Sequence, residues 1–224
     1  MFPTIITTAD GSHSLYIKEL NEHYHSIHGA IQESTHVFIN AGLKQFTSTL
    51  VKRELNILEI GLGTGLNALL TLIEADKSII NIGYTAIEAY PLSKDLIQQL
   101  NYAELLRTHD VQPAFNAIHI CEWEREEVIS NLFTICKIKN TLQNTVLENK
   151  YHLVYFDAFG PSVQPEMWTK EVFSKLYDSI QPNGILVTYC AKGEVKRTLK
   201  KIGFTVESLQ GPPGKREMIR AIKS

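Results

Sequence analysis

Leu58-Glu59-Ile60-Gly61-Leu62-Gly63-Thr64-Gly65-Leu66-Asn67 is the stretch whose reading decides the fold. It opens within an apolar run that starts at Asn56, turns on alternate glycines, and continues with Leu66, Leu69, Leu70 and Ile73 at helical spacing. A strand that passes through a glycine turn into a helix begins a βαβ unit. The glycines let the backbone bend sharply and approach a ligand where the helix N-terminus points. The turn is not the dinucleotide fingerprint, because G-x-G-x-x-G needs a small residue at 66 and finds leucine. Nor does the Lys-Ser or Lys-Thr pair of a P-loop follow it.

Downstream the same grammar repeats. Short apolar runs at Ile82–Glu88, Ala117–Cys121, Leu153–Phe156 and Ile185–Cys190 read as strands. Helices are expected over Leu92–Leu100, Arg125–Ile135 and Glu166–Ile180, the last ended by Gln181-Pro182-Asn183-Gly184. The chain closes with a helix Glu194–Ile202, a strand Phe204–Leu209, a Gly211-Pro212-Pro213-Gly214 turn and a strand Met218–Ile222, the final pair antiparallel. Alternating strands and helices give an α/β fold, a seven-stranded, mostly parallel sheet with helices on both faces. Upstream, Thr4–Thr8 and Ser14–Ile17 read as a strand pair about Asp10-Gly11, followed by a His-rich polar stretch and a short apolar helix. Residues 1–50 are thus expected to form a small N-terminal β/helical addition at the substrate rim of a domain spanning 51–224.

With 224 residues, 44% of them apolar and 21% charged, the chain can bury one sizeable core. The net charge of −2 excludes a global positive field. It is unevenly spread: residues 192–224 carry +6 and the body −8, so any attraction for nucleic acid or an anionic surface is local to the basic end. Cys121, Cys136 and Cys190 fit neither a zinc knuckle nor a disulfide framework. The N-terminus lacks a basic, apolar leader and no run of apolar residues is long enough to span a bilayer, so a cytoplasmic location and no membrane partner are expected.

The strand ends select the cofactor. Glu59 would sit poorly beside a pyrophosphate but well beside the ammonium of an amino-acid moiety, directly or through water, which favours S-adenosyl-L-methionine over NAD. Glu88, ending the second strand, can accept from both ribose hydroxyls of an adenosine. The third run leads into Glu122 and Trp123, an acceptor for the adenine amine and a flat apolar face for its ring. Glu59, Gly61, Gly63, Gly65, Asn67, Glu88, Glu122 and Trp123 are the expected cofactor contacts.

The fourth strand delivers Asp157, followed by Ala158-Phe159-Gly160-Pro161. Open α/β sheets place reactive groups at such a strand end. Methyl transfer from a sulfonium needs an aligned nucleophile with a free lone pair, and an alkylammonium has none until a base removes a proton. Asp157 is the expected catalytic base; Phe159 and Trp168 could stack on a nucleic-acid base or serve the core. His13, His23, His25, His28 and His36 crowd the N-terminal region, but their spacing matches no zinc pattern and no metal is expected.

Assembled, these residues resemble the class I S-adenosylmethionine-dependent methyltransferases. More narrowly, the chain resembles the methyltransferase portion of the bifunctional tRNA 5-methylaminomethyl-2-thiouridine biosynthesis proteins, the MnmC type. The narrower likeness rests on Glu59–Asn67, on Phe156-Asp157-Ala158-Phe159 continuing to Pro165-Glu166-Met167-Trp168-Thr169, and on Gly214-Lys215-Arg216-Glu217-Met218. The resemblance implies methylation of the aminomethyl group on a tRNA wobble uridine, with Asp157 as catalytic aspartate and Phe159 and Pro161 near the substrate. It also gives Lys215 and Arg216 a partner, the backbone of the anticodon loop. The family's Gly-Asp at the third strand end is Cys121-Glu122 here. No flavin-dependent oxidase portion follows Ser224, so a stand-alone form is expected, dependent on other enzymes to install the aminomethyl group. Two rivals remain: a polyamine-type aminopropyl transferase, which would use a decarboxylated cofactor, and a non-catalytic RNA-binding scaffold.

Overall fold

The structure, a computed structural model, describes residues 3–47, 53–106 and 111–224. The expected boundary at residue 50 lies outside these. The N-terminal strands β1 (Thr4–Thr7), β2 (His13–Ile17) and β3 (Glu22–His23) form a small antiparallel sheet. Asp10, at the β1–β2 turn, accepts from Gln32 N at 3.0 Å and so caps helix α1 (Ala30–Ser34). That helix runs on through a π-helical segment, Thr35–Lys44, into α2 (Gln45–Thr47).

The main sheet is built by β4 (Glu54–Ile60), β5 (Asn81–Ile87), β6 (Glu126–Ser130), β7 (Phe133–Ile138), β8 (Tyr151–Phe156), β9 (Ile180–Thr188), β10 (Phe204–Gln210) and β11 (Glu217–Lys223). Helices α3 (Leu66–Ser78), α4 (Lys94–Ile97), α5 (Tyr102–Leu106), α6 (Val111–Ile120), α7 (Lys170–Ser179) and α8 (Gly193–Ile202) connect them. The order is β10-β11-β9-β8-β4-β5-β7-β6, with β7, β5, β4, β8 and β9 parallel and β11 antiparallel to β9 and β10.

Period-two alternation splits the core. Leu55, Ile57, Leu153 and Tyr155 face α3 and the π-helical segment, whereas Leu58, Ile60, Val154 and Phe156 face α7 and α8. Gly42 lets the π-helical segment press on the first face, since a Cβ there would lie 3.2 Å from Val187. The N-terminal addition therefore shares the sheet's own core.

Two expectations are corrected. Ala117–Cys121 is not a strand: Val111, Phe115 and Ile118 are buried at helical spacing, and Ala117–Ile120 is the last turn of α6. Arg125–Ile135 is not a helix but the hairpin β6–β7, in which Phe133, Ile135 and Lys137 are buried alternately. The true third strand is therefore β7. Set aside β6, an added antiparallel edge strand, and the expected seven strands remain. Gln181–Gly184 also differs, carrying β9 through a register shift with Asn183 at φ 64° rather than preceding the strand.

Candidate active site

The chain proceeds from β4 through β5 to β7 on one side, then crosses to β8 on the other, so β4 and β8 flank the switch point where α/β sheets open a crevice. A cavity of about 780 Å³ opens there. Its floor is the glycine turn; its walls are Glu88 and Ala89 after β5, Asn140–Asn144 after β7, Asp157–Phe159 after β8, and residues 22–28 with Glu33 of the N-terminal addition.

Gly61 at φ 89° and Gly65 at φ 73° adopt the left-handed conformation that side chains resist. A Cβ on Gly61 would lie 2.9 Å from the Asp157 carbonyl, and one on Gly65 2.7 Å from His119 Nε2. Gly63 N donates to Glu88 Oε2 at 3.0 Å, and Tyr90 N to Glu88 Oε1 at 2.8 Å. Each carboxylate oxygen keeps a lone pair for a ribose hydroxyl.

Glu59 is fully buried and does not line the cavity. Its Oε1 accepts from Asn67 Nδ2 at 2.9 Å, while Oε2 is buried without a hydrogen-bond partner. Burial pushes its carboxyl well above the usual range, opposed by the Asn67 hydrogen bond. Asn67 stands between Glu59 and the cavity, donating from the same Nδ2 to Asp157 Oδ2 at 2.8 Å. Its own Oδ1 is buried without a partner. These unpaired acceptors, the glycine turn and Glu88 fit S-adenosyl-L-methionine: an ammonium near Asn67 with Glu59 behind it, and a ribose at Glu88.

Asp157 is half-buried, its backbone N donating to Ile60 O at 3.1 Å. Burial raises its carboxyl to about 7 and the negative charge of Glu33 adds to this; the Asn67 hydrogen bond and the Lys215 charge pull it back. Such a carboxyl is poised to exchange protons near neutrality. Phe159 packs edge-on against Tyr24, their ring centroids 5.2 Å apart. Trp168 is not a platform for a base. It is buried, and its Nε1 donates to Phe159 O at 2.7 Å while Tyr189 OH donates to Ala158 O at 2.8 Å, fixing the loop that carries Phe159.

Other expected residues fall elsewhere. Glu122 and Trp123 do not line the cavity: Glu122 is exposed against Arg125, and the Trp123 ring carries Lys137 Nζ 4.8 Å above it. They follow α6 rather than a strand, and it is the loop after β7, Leu142 included, that lines the cavity. Pro161 lies off the lining. Lys215 turns into the cavity and ion-pairs with Glu33, while Arg216 is exposed outside it. His23, His25 and His28 line the cavity, while His13 and His36 lie apart from it. His13 bonds Gln99 O, His36 bonds Gln210 O, and His25 lies buried between Ser14 and Thr64. Among the described residues no group of three or more His, Cys, Asp or Glu side chains is placed to hold a metal ion, and no helix is long and apolar enough to cross a membrane.

Tyr24, Glu33, Tyr189 and Leu142 are lining residues the sequence did not single out. Leu142 was within reach, since reading Phe133–Ile138 by its alternation would have moved the third strand end to it. Glu33 gave no signal, being one acid on a short helix.

Comparison with known proteins agrees with this geometry. Residues 98–224 match the family described as S-adenosyl-L-methionine-dependent methyltransferase. The tRNA 5-methylaminomethyl-2-thiouridine biosynthesis bifunctional protein MnmC of Cupriavidus necator is 30% identical over 91% of this chain and 32% of its own length. Its counterpart in Burkholderia thailandensis is 28% identical over 88% of this chain and 31% of its own length. The chain thus spans about a third of the curated relatives it matches. Among solved structures, MNMC2 from Aquifex aeolicus superposes with a TM-score of 0.79 at 23% identity, covering 98% of this chain and 69% of that one. The fold also extends to a spermidine synthase from Thermotoga maritima, TM-score 0.58 at 11% identity, covering 100% of this chain and 72% of that one. With residues 98–224 matched, the chain belongs to the S-adenosyl-L-methionine-dependent methyltransferases.

Proposed function

We propose that the chain methylates the exocyclic amine of a 5-aminomethyl-(2-thio)uridine at the wobble position of tRNA. The observation that carries this is Asp157, a carboxyl raised to about 7 and opening onto the same cavity as the glycine turn. The MnmC relatives, named for tRNA 5-methylaminomethyl-2-thiouridine biosynthesis, supply the substrate class.

Bound S-adenosyl-L-methionine supplies an electrophilic methyl group on a sulfonium. The protein's work is to hold that group in line with a neutral amine. The substrate amine arrives as an ammonium, drawn to a cavity that carries Asp157, Glu33 and Glu88 against Lys215. Asp157 takes its proton, which frees the lone pair. Asn67 keeps the carboxylate aimed, and Tyr24, Phe159 and Tyr189 give the acceptor side aromatic walls that exclude water.

Phe159 would stack on the splayed uridine and the exposed Arg216 would meet a phosphate of the anticodon loop. This reading puts the protein in the cytoplasm with its RNA, downstream of enzymes that install the aminomethyl group. Nucleoside analysis of tRNA from cells lacking the protein tests it. Accumulated 5-aminomethyl-(2-thio)uridine, cleared by the wild type but not by Asp157→Ala, is the expected result; an unchanged nucleoside profile overturns it.

A further inference from the structure

Asn67 was expected among the cofactor contacts, yet both hydrogens of its amide point elsewhere. Nδ2 donates to Asp157 Oδ2 at 2.8 Å and to Glu59 Oε1 at 2.9 Å, so one side chain bridges two carboxyls from adjacent parallel strands. In this orientation Nδ2 meets an oxygen of each carboxyl, and Oδ1 is left without a protein partner. The bridge is built rigidly. Asn67 is 3% exposed, it sits in the first turn of α3 immediately after the glycine turn, and its backbone carbonyl accepts from Thr71 Oγ1 at 2.7 Å. Thr71 in turn lies 3.3 Å from Tyr155 OH, on the strand that carries Asp157.

We infer that Asn67 is a positioning residue for the acceptor chemistry: its amide holds the Asp157 carboxylate in one orientation and ties it to the glycine turn through Glu59. This rests on Asp157 being the base, but not on the identity of the RNA. An acid facing a cavity on a strand end can swing about its side-chain torsions, and a donor anchored at its far side by a second, fully buried carboxyl removes that freedom. The same donor favours the ionised form of Asp157, the form able to accept a proton. The other groups acting on Asp157 come from different elements: Glu33 from α1, Lys215 from the turn before β11, Glu59 from β4 and Tyr189 from the end of β9. None replaces the Asn67 donor, because among the described residues this is the only hydrogen bond given to the Asp157 carboxylate.

The test reads Asp157 directly. With carboxyl-labelled aspartate, the Asp157 carbon signal, assigned by its loss in Asp157→Asn, is titrated in the wild type and in Asn67→Ala. The midpoint is expected to rise by about one pH unit, the size set by losing a hydrogen bond to a charged group. Should Asn67→Ala fail to fold, Asn67→Leu keeps the volume without the donor and is expected to move the midpoint up as well. Calorimetry with S-adenosylhomocysteine reads the other side of the residue, the Oδ1 left free for the cofactor's ammonium, and is expected to show weaker binding in Asn67→Ala alongside the raised midpoint. An unmoved midpoint, with or without weaker cofactor binding, overturns the inference and leaves Asn67 a cofactor contact alone. Failure of the tRNA reading would show instead as a wild type that titrates as described and methylates no tRNA.

Discussion

Lys215 Nζ is ion-paired with Glu33 and lies 3.9 Å from the centroid of the Tyr189 ring. The partners come from opposite ends of the sequence. Glu33 lies on α1, and Lys215 follows Gly214, whose backbone passes so close to His28 that a Cβ could not be accommodated. The pair therefore pins the turn before β11 over the cavity, with the cation held by a carboxylate and an aromatic face. Lys215 is spent inside the site, and Arg216 beside it remains exposed. Their substitutions should separate. Arg216→Gln is expected to weaken tRNA binding at low salt and flatten the slope of log affinity against log salt by about 1. Lys215→Met is expected to leave that slope alone and to raise the pH midpoint of methyl transfer, since a cation facing Asp157 is lost. Fluorescence titration across a salt series, with pH-dependent turnover, checks both; equal slopes in the two variants would refute the division of roles.

The dependence of kcat/KM on pH should show an acid limb with its midpoint near the Asp157 value of about 7, activity rising as the carboxyl ionises. Glu33→Gln removes a negative neighbour, which eases ionisation, so its midpoint should move down. Asp157→Ala should cost about 10²–10⁴ in rate and abolish the limb. Rapid-quench measurements of methyl transfer from pH 5 to 9 decide it. A limb that persists in Asp157→Ala would mean that another group is the base.

How far the residues alone carry the argument depends on the kind of signal each element gives. β4 and α3 were legible because glycine chemistry and a 3.6-residue repeat agree at one place, and Asp157 because an acid closes an uninterrupted apolar strand. The region 111–138 was misread because short apolar runs look alike whether they form a last helical turn or a strand. Ala117–Ile120 belongs to a helix whose first buried residue is six positions upstream of Ala117, at Val111, whereas Glu126–Val128 and Thr134–Cys136 pair across a hairpin. Lys137 sharpens the difficulty. It is a cation buried to 1% exposure, paid for by His119 O and the Trp123 ring, and a charged residue inside a run argues against a strand core. Contacts such as Lys215 with Glu33 join residues 182 positions apart and leave no local trace.

Moving the third strand end to β7 changes which residues should matter to the adenine. Leu142 lines the cavity at 2% exposure, and Trp123 does not line it. Leu142→Ala is expected to weaken S-adenosyl-L-methionine binding by about tenfold, the order lost with a buried aliphatic contact to a ring. Trp123→Ala should stay within about twofold, although it removes the face that covers Lys137. Calorimetry on folded protein, checked by circular dichroism, makes the comparison. A larger loss for Trp123→Ala than for Leu142→Ala would restore the original adenine assignment.

His119 braces the glycine turn from beneath, its Nε2 3.1 Å from Thr64 O and directly under Gly65. Burial lowers its imidazole to about 4, with the Lys137 charge acting the same way and the Thr64 bond opposing. The folded protein thus keeps this ring neutral at pH values where the unfolded chain, at its ordinary 6.5, takes a proton. Its contribution to stability is full above about 6.5 and drains away as pH falls toward 4. Asp157 and Glu59 act in the opposite sense, because their raised carboxyls bind protons first in the folded state. The melting temperature of the wild type mixes these effects, whereas the difference between wild type and His119→Gln isolates one of them. Glutamine preserves a donor for Thr64 O but does not titrate, so that difference should favour the wild type most at pH 7 and shrink steadily by pH 4.5. Differential scanning calorimetry at several pH values measures it, and a difference constant with pH would show that His119 takes up protons alike in the folded and unfolded states, unaffected by its burial.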